Sequence, residues 1–428
     1  MDFSPAILRH FLAARFLRSF KDRQALENWQ NRRMQIFRKS VLAKLPLYRN
    51  MADAPLDEFP IAGKQFVQDH FKDLNVLGLS FDDALRQARQ GVSPKGYTIG
   101  MSSGTSGNRG VFLVDDAERK HWAGVMLAKA LPPGGLLKCH RAALMLAANS
   151  NLYRATQHSG RLTFRFFDLS QGLDRHREAL EAYHPTLLIA PAHVLALMAR
   201  QNWAIQPERA FSAAEVLDKR EANIIGRSWG EPVHQIYQCT EGFLGITCRL
   251  GTLHLNEDCI LVEKQWLDKE RHAFTPLITD FSRRSQAMVR YRMNDILIAS
   301  PTPCACGSPL QAIARIEGRR DDILAFPSDQ GGMVLLFPDD VRATVLDAAP
   351  AASDFHVRQH SPERLSLSLE GAVPEEQAKN AAAKLAEAIR RVGAKPAHIQ
   401  TMPFMPIEHH ATKLRRVVRE FSLMEDAQ

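Results

Sequence analysis

The sequence predicts an α/β protein: a large N-terminal α/β domain with β-sheets flanked by helices, then a small α+β C-terminal domain. Three observations predict it. Between residues 97 and about 300, short apolar runs ("RAALMLAA", "LTFRFFDL", "PTLLIAPA") alternate with stretches of helical period ("LDRHREALEAY", "AHVLALMARQ"), the pattern of a sheet covered by helices. From residue 320 the elements shorten. There "MVLLF" and "RLSLSLEG" read as strands, and "PEEQAKNAAAKLAEAIRRVG" reads as a helix with Pro near its start and Gly at its end. Finally, 428 residues with 45% apolar and 24% charged content suffice for roughly two to four domains and a sizeable core.

Residues 1 to about 75 read as helices, and "ALENWQNRRMQIFRKSVLAKLPLY" carries its apolar residues at helical spacing. The opening "MDFSPAILRHFLAARFLRSFKDR" has charges scattered through it and no small-residue cleavage site, so it does not read as a signal peptide. It reads as a helix packed on its own domain; a basic amphipathic helix on a membrane surface is the alternative. No window approaches roughly eighteen consecutive apolar residues, so no membrane span is expected. The domains are placed at residues 1–319 and 320–428, with the joint in "IEGRRDDIL", residues 316–324.

A net charge of +8 and a pI near 9.2 favour anionic partners such as nucleotides, coenzyme A or acidic carrier proteins. The basic residues are spread along the chain without a nucleic-acid motif, so nucleic acid is not an expected partner. Six unevenly spaced cysteines without an export signal point to reduced thiols and a cytoplasmic location.

The stretch "YTIGMSSGTSGNRGVFLV" (97–114) places Gly104, Gly107 and Gly110 among Ser102, Ser103, Thr105 and Ser106. Glycine admits positive φ and close approach of a ligand. Hydroxyls and successive backbone N–H groups form a nest for an anion, with polyphosphate the natural guest. No Gly-Lys-Ser/Thr ends the loop, so it is not a Walker motif, and its glycines do not have dinucleotide-fingerprint spacing. A surface turn or flexible linker is the plain alternative.

Four later stretches bear on that choice. "IYQCTEGFLG" (236–245) supplies Tyr237, whose ring can stack on adenine, and Thr240, whose hydroxyl can reach a phosphate. It also supplies Glu241, a carboxylate that beside phosphates implies Mg²⁺. "VRYRMNDIL" (289–297) places Asp295 to accept from ribose hydroxyls, and "GRRDD" (318–322) brings Arg319 to a sugar or phosphate. "ATKLRRVVRE" (411–420) ends the chain with Lys413 ahead of an arginine pair. Singly, each has an ordinary reading: a Thr-Glu-Gly turn, an Asp295–Arg292 pair, a surface arginine, one more basic residue.

Together and in this order they resemble the adenylate-forming (acyl-adenylate) superfamily, and within it the phenylacetate–coenzyme A ligase-like branch. The resemblance runs from about residue 95 to 418 and is strongest at "SSGTSGNRG", "YQCTEGFLG", "LHLNED", "RYRMND", "CACG" and "EGRRDD". It implies that the C-terminal domain is mobile and that the loop cradles the β- and γ-phosphates of ATP. Ala214 and Glu215, in "SAAEVLD", would lie along the adenine, with Tyr237 stacked on it. Thr240 would touch the α-phosphate, Glu241 would hold Mg²⁺ and Asp295 would bind ribose near Arg319. Asp321 would be the hinge and Lys413 the mobile catalytic lysine. Two departures stand out: "HHATK" replaces the usual Ser-Gly-Lys turn, and "NSNLY" (149–153) replaces the small-residue stretch of the acyl pocket.

The implied chemistry is attack of a carboxylate on ATP, giving an acyl-adenylate and pyrophosphate, then transfer of the acyl group to the thiol of coenzyme A or an acyl carrier protein. The alternatives are transfer to an amine, and a non-catalytic nucleotide-binding protein. The identity of the acid is not legible, and a homodimer is left open. Cys304 and Cys306 in "TPCACGSP", with Cys248 and His254 in "ITCRLGTLH", would complete a tetrahedral structural Zn²⁺ site. Reduced turn residues and a core thiol are the alternative. Cys139, Cys239 and Cys259 lie in apolar stretches and are expected in the core.

Overall fold

The structure is a computed structural model that describes residues 4–102, 110–146, 158–159, 161–230, 232–267, 270, 272–404 and 415–421. It separates into two compact units. One holds the described residues up to Met293 together with Ala299–Arg315; the other holds Asn294–Ile298 and the described residues from Ile316 onward. Among the described residues no helix is long and apolar enough to cross a membrane.

The first unit opens with helices Pro5–Leu12 and Arg23–Ser40. Asp22 caps the second by accepting from the Ala25 amide, and Leu26, Gln30, Met34 and Phe37 face inward at helical spacing. The N-terminal helix packs on helix Asp116–Ala130. That contact depends on Gly124, where an added Cβ would lie 2.6 Å from His10 Cβ and 2.8 Å from the Ile7 carbonyl oxygen. Helix Asp116–Ala130 begins with a reciprocal capping box between Asp115 and Glu118.

A hairpin of β1 (Tyr97–Met101) and β2 (Val111–Asp115) flanks the glycine-serine loop. The main sheet is built on five parallel strands in the order β5, β3, β6, β7, β8. They are β3 (His140–Leu146), β5 (Leu162–Asp168), β6 (Leu187–Ala190), β7 (Arg209–Ala213) and β8 (His234–Cys239), with the short β4 (His158–Ser159) antiparallel outside β5. The apolar runs that read as strands are β3, β5 and β6. The interleaved helices Arg177–Tyr183, Ala192–Arg200 and Lys219–Trp229 bury Leu180, Leu195, Met198 and Ile225 against them. Beyond β8 the order continues antiparallel through β9 (Gly242–Thr247) and β10 (Leu253–Leu255) to β15 (Ala312–Arg319). A further ribbon pairs β11 (Ile260–Trp266) with β12 (Ala273–Asp280), on which β13 (Tyr291–Arg292) lies. The chain passes between the two units within β14 (Asp295–Ala299) and β15.

The second unit has a hairpin, β16 (Leu324–Pro327) with β17 (Met333–Leu336), and a four-stranded sheet. The sheet order is β20 (His398–Thr401), β19 (Arg364–Glu370), β18 (Asp354–Ser361), β21 (Val417–Arg419). Helices Pro338–Ala348 and Glu375–Arg391 close its core through Val341, Val345, Leu385 and Ile389. "MVLLF", "RLSLSLEG" and "PEEQAKNAAAKLAEAIRRVG" take the strand and helix states their patterns predict.

All six cysteines are free thiols. The expectation that three would be core residues holds for Cys259, which is buried; Cys239 is half-buried and Cys139 is exposed. Cys139 stands one residue before β3 begins, where His140 is buried, so the apolar run around it enters the sheet only after the cysteine.

Candidate active site

In an open sheet with parallel strands, ligands bind beyond the carboxyl ends of the strands, where connections leave in opposite directions. Here β3 connects outward to β5 while its other neighbour β6 connects toward β7, which puts the switch between β3 and β6. Ala190 of β6 pairs with Ser212 of β7, and Ala213 with Ile236 of β8. The residues following these strands therefore share one edge: Pro191 to His193, Ala214 and Glu215, then Thr240 and Glu241. Two separate sequence motifs, "SAAEVLD" and "YQCTEGFLG", are brought together in this way.

Thr240 and Glu241 are the two residues between β8 and β9, where Cys239 pairs with Gly242. The Thr240 hydroxyl donates to Glu241 Oε2 at 2.8 Å. Glu241 has no ion-pair partner among the described residues. Behind the turn, Arg283 Nη2 donates to the Thr240 carbonyl at 2.5 Å, and Arg283 Nε lies 3.8 Å from Asp280 Oδ2. Arg283 is buried, and among the described residues its Nη1 has no hydrogen-bond partner. Burial pushes the Asp280 carboxyl above its ordinary range, against the nearby Arg283 charge.

The base of the glycine-serine loop reaches the same turn. Ser102 and Gly110 close it through Ser102 N–H to the Gly110 carbonyl, 2.8 Å, and Gly110 N–H to Ser102 Oγ, 2.9 Å. A methyl group built on Gly110 would lie 3.5 Å from the Thr240 hydroxyl and 3.7 Å from Ser102 Oγ. An open pocket here is lined by Gly110, Thr240, Glu241, Lys64, Gln286 and Tyr291, among others. Ser103, Gly104, Thr105, Ser106 and Gly107 lie outside the described residues, as do Lys413 and the "NSNLY" stretch.

Ala214 has φ +67°, in the left-handed region that costs a residue with a Cβ. Glu215 accepts from His193 Nδ1 at 2.6 Å. His193 sits in the first turn of helix Ala192–Arg200, and sequence reading did not single it out, nor Lys64. Tyr237 is buried in β8.

Asp295, Arg319 and Asp321 belong to the second unit. Asp295 opens β14 and Arg319 ends β15. Asn294 holds the joint segment twice: its carbonyl accepts from the Arg320 amide at 2.7 Å, and its side-chain amide donates to Asp321 Oδ2 at 2.5 Å. Asp322 is ion-paired with Arg415.

Cys248, His254, Cys304 and Cys306 come together in the first unit, with all four ligand atoms within 4.8 Å of one another. Cys248 Sγ lies 3.9 Å from Cys304 Sγ, and Cys306 Sγ lies 3.4 Å from His254 Nε2. Ligand atoms around a tetrahedral zinc stand about 3.3–3.8 Å apart, given Zn–S near 2.3 Å and Zn–N near 2.0 Å. His254 Nδ1 donates to the Leu310 carbonyl at 3.0 Å, which leaves Nε2 turned to the thiols as the ligating nitrogen. The Leu250 amide donates to Cys248 Sγ and the Cys306 amide to Cys304 Sγ, each at 3.4 Å. Against the upward push of burial, hydrogen bonds from Thr252, the Cys306 amide and His254 bring the Cys304 thiol down to about 6.

Neither a protein-family model nor a curated protein sequence matches the chain; solved structures do. A 2-hydroxyisobutyryl-CoA ligase in its postadenylation state with 2-HIB-AMP matches at TM-score 0.65 and 15% identity, covering 93% of this chain and 89% of that one. The open conformation of the same ligase with 2-HIB-AMP and CoA matches at 0.57 and 16%, covering 92% and 91%. An acyl acid amido synthetase matches at 0.56 and 11%, covering 88% and 87%. The chain therefore has the fold of the adenylate-forming ligases.

Proposed function

We propose that this chain activates a carboxylic acid with ATP as an acyl-adenylate, releasing pyrophosphate, and then passes the acyl group to the thiol of coenzyme A or a carrier protein. The observation that carries the reading is the meeting of the Thr240–Glu241 turn with the base of the Ser102–Gly110 loop at the carboxyl edge of the parallel strands. Hydroxyls and amides of that loop, Ser102 to Gly107, cradle the β- and γ-phosphates. Thr240 donates to the α-phosphate, and Arg283 fixes the height of its backbone. Ala214, Glu215 and Tyr237 frame the adenine. His193 sets the direction of the Glu215 carboxylate, Asp295 and Arg319 serve the ribose, and Lys413 stabilises charge on the α-phosphate. Catalysis of this kind is positioning and electrostatics, with no covalent role for the protein.

Glu241 fits Mg²⁺: it is a half-buried carboxylate without a cationic partner among the described residues, lining one pocket with Gly110 at the base of the glycine-serine loop. Mg²⁺ is commonly held by one or two carboxylates plus substrate phosphates, whose charge it offsets. The four-residue cluster fits structural Zn²⁺: Cys248, His254 on β10 and the turn thiols Cys304 and Cys306 would hold it, and a Cys₃His set leaves no open position, so it would brace these segments and not activate water.

Pyrophosphate release over a panel of aromatic, branched and fatty acids tests the first step, and addition of coenzyme A, a carrier protein or an amine tests the second. Acid-dependent release of pyrophosphate is expected. A folded protein that binds ATP without releasing pyrophosphate for any acid would favour the non-catalytic alternative. An amine acceptor, in keeping with the acyl acid amido synthetase of the same fold, is the competing outcome of the second step.

A further inference from the structure

The N-terminal segment has an inner and an outer face. On the inner face Phe11 is buried, Ile7 and His10 pack on Gly124, and Arg15 donates to the Ala128 and Leu131 carbonyls. On the outer face Pro5, Arg9, Leu12 and Phe16 are exposed at spacings of four, three and four residues, a single helical stripe. Leu12 is 41% exposed, Phe16 66% and the adjoining Leu17 80%. Burying Phe16 and Leu17 would remove much apolar surface from water, and nothing among the described residues covers them.

The same segment is cationic. From Phe3 to Lys21 the sequence holds no Asp or Glu, but it holds Arg9, Arg15, Arg18 and Lys21. At its far end Lys21 lies 3.7 Å from the exposed Asp22, and further arginines gather beside it. Arg18 Nη2 lies 3.0 Å from His121 Nε2, and the Arg18 and Arg33 guanidinium groups lie 5.7 and 5.8 Å from the Trp29 ring centroid. Asp258 answers this charge but is shared with Lys129 at 2.6 Å. Arg9, Arg33 and Arg284 have no carboxylate partner among the described residues. Burial, with Arg18, His10 and Arg33 close by, pulls the His121 ring down to about 3, so it stays neutral and adds no further repulsion.

We propose that the Pro5–Lys21 segment docks the protein on an anionic bilayer surface, with Leu12, Phe16 and Leu17 entering the interface and Arg9 and Lys21 meeting lipid phosphates. Apolar residues on one side of a basic helix, with a low-hydrophobicity opposite face, are the signature of a helix lying in the membrane plane. Here the opposite face is replaced by the protein's own core. Charge complementarity selects the occupant. A second copy laying the same segment against this one would bring two basic stretches together, with acids only at their ends, Asp2 and Asp22, the latter already 3.7 Å from Lys21. A folded partner needs a groove, whereas these side chains project from a convex helix; a fluid interface accepts projecting side chains of any shape.

The test is sedimentation of the full chain with vesicles of phosphatidylcholine alone and of equal parts phosphatidylcholine and phosphatidylglycerol, at low and high salt. Binding is expected to the anionic vesicles only, and to weaken with salt. The double variant Phe16→Ser/Leu17→Ser, which changes exposed positions and should keep the wild-type melting temperature, is expected to bind about tenfold or more weakly. Arg9→Glu/Lys21→Glu should lose binding to anionic vesicles. No sedimentation with either vesicle would overturn the proposal. Equal binding by the Phe16→Ser/Leu17→Ser variant would do so too, as would a wild-type dimer that this variant dissociates. None of these readouts depends on the adenylation reading.

Discussion

At the scale of single residues, the Thr240–Glu241 turn shows a short sequence doing two things at once: it closes the β8–β9 hairpin and presents a hydroxyl and a carboxylate to the loop base. The decisive residue for the proposed first step is Lys413. Lys413→Ala is expected to slow pyrophosphate release about 10²- to 10³-fold, the range for removing one transition-state charge stabiliser. Acyl transfer from preformed adenylate should change far less, and equal losses in the two half-reactions would contradict the reading. Thr240 and Glu241, which the structure sets beside the loop base, stood out in the sequence because a hydroxyl and a carboxylate in a glycine-rich context are chemically unusual; Asp295 stood out for its basic context and lies in the other unit. His193 did not, because "APAHV" is also what a buried helix start looks like; only the register of β6 against β7 carries it to Glu215. Cys139 misled for the opposite reason, since hydropathy cannot say at which residue a strand begins.

At the scale of elements, two contacts decide how well the first unit is held. The N-terminal helix meets helix Asp116–Ala130 at Gly124, where no space remains for a side chain. Gly124→Val should therefore lift that helix and destabilise the unit by about 1–3 kcal/mol, the usual cost of overpacking. A lowered melting temperature with faster proteolysis near residues 18–22 is the expected result; an unchanged melt would mean the helix is not held there. The second contact is the Cys₃His cluster. Protein purified without a histidine tag should carry about one zinc per chain. Chelation should lower the melting temperature and reduce activity only through that loss, whereas less than about a tenth of an equivalent in reduced protein would sink the assignment. In the main sheet, β3, β5 and β6 were readable as apolar runs and the helices Arg177–Tyr183 and Ala192–Arg200 from their period, whereas β7, β8 and helix Lys219–Trp229 carry no such clear run. The approach of helices through one small residue was not readable, because Gly124 sits inside a pattern that reads as an ordinary helix.

At the scale of the whole molecule, buried histidines weaken the fold on the acid side, against the buried Asp280 and Asp322, whose carboxyls burial pushes up. His234 is buried beside Thr247 and stacked on Phe211, and burial, with Arg209 nearby, pulls its ring down to about 4. His121 is held at about 3. In the unfolded chain both rings take a proton near their ordinary value of about 6.5. The unfolded state therefore binds more protons than the folded one between these limits, and stability falls as pH drops from about 7 toward 4. Thermal unfolding of the full chain should show this slope, and His234→Gln should flatten part of it. A melting temperature independent of pH across that window would mean the rings are protonated in the folded protein. Such behaviour was beyond the sequence, which counts histidines but does not say which are enclosed.

Ala214 carries a consequence of its own. A glycine at φ +67° would relieve the steric penalty of the left-handed backbone, worth about 1 kcal/mol or more. A programme that rewrote this chain for thermal endurance alone would choose glycine there and would be rewarded by the thermometer. What it would remove is one half-buried methyl group at the end of β7, directly before Glu215. In the adenylation proposed above that methyl lies along the adenine, and on that reading the alanine is a place where durability and task pull apart, one an engineer seeking a hardier version of this protein should leave alone.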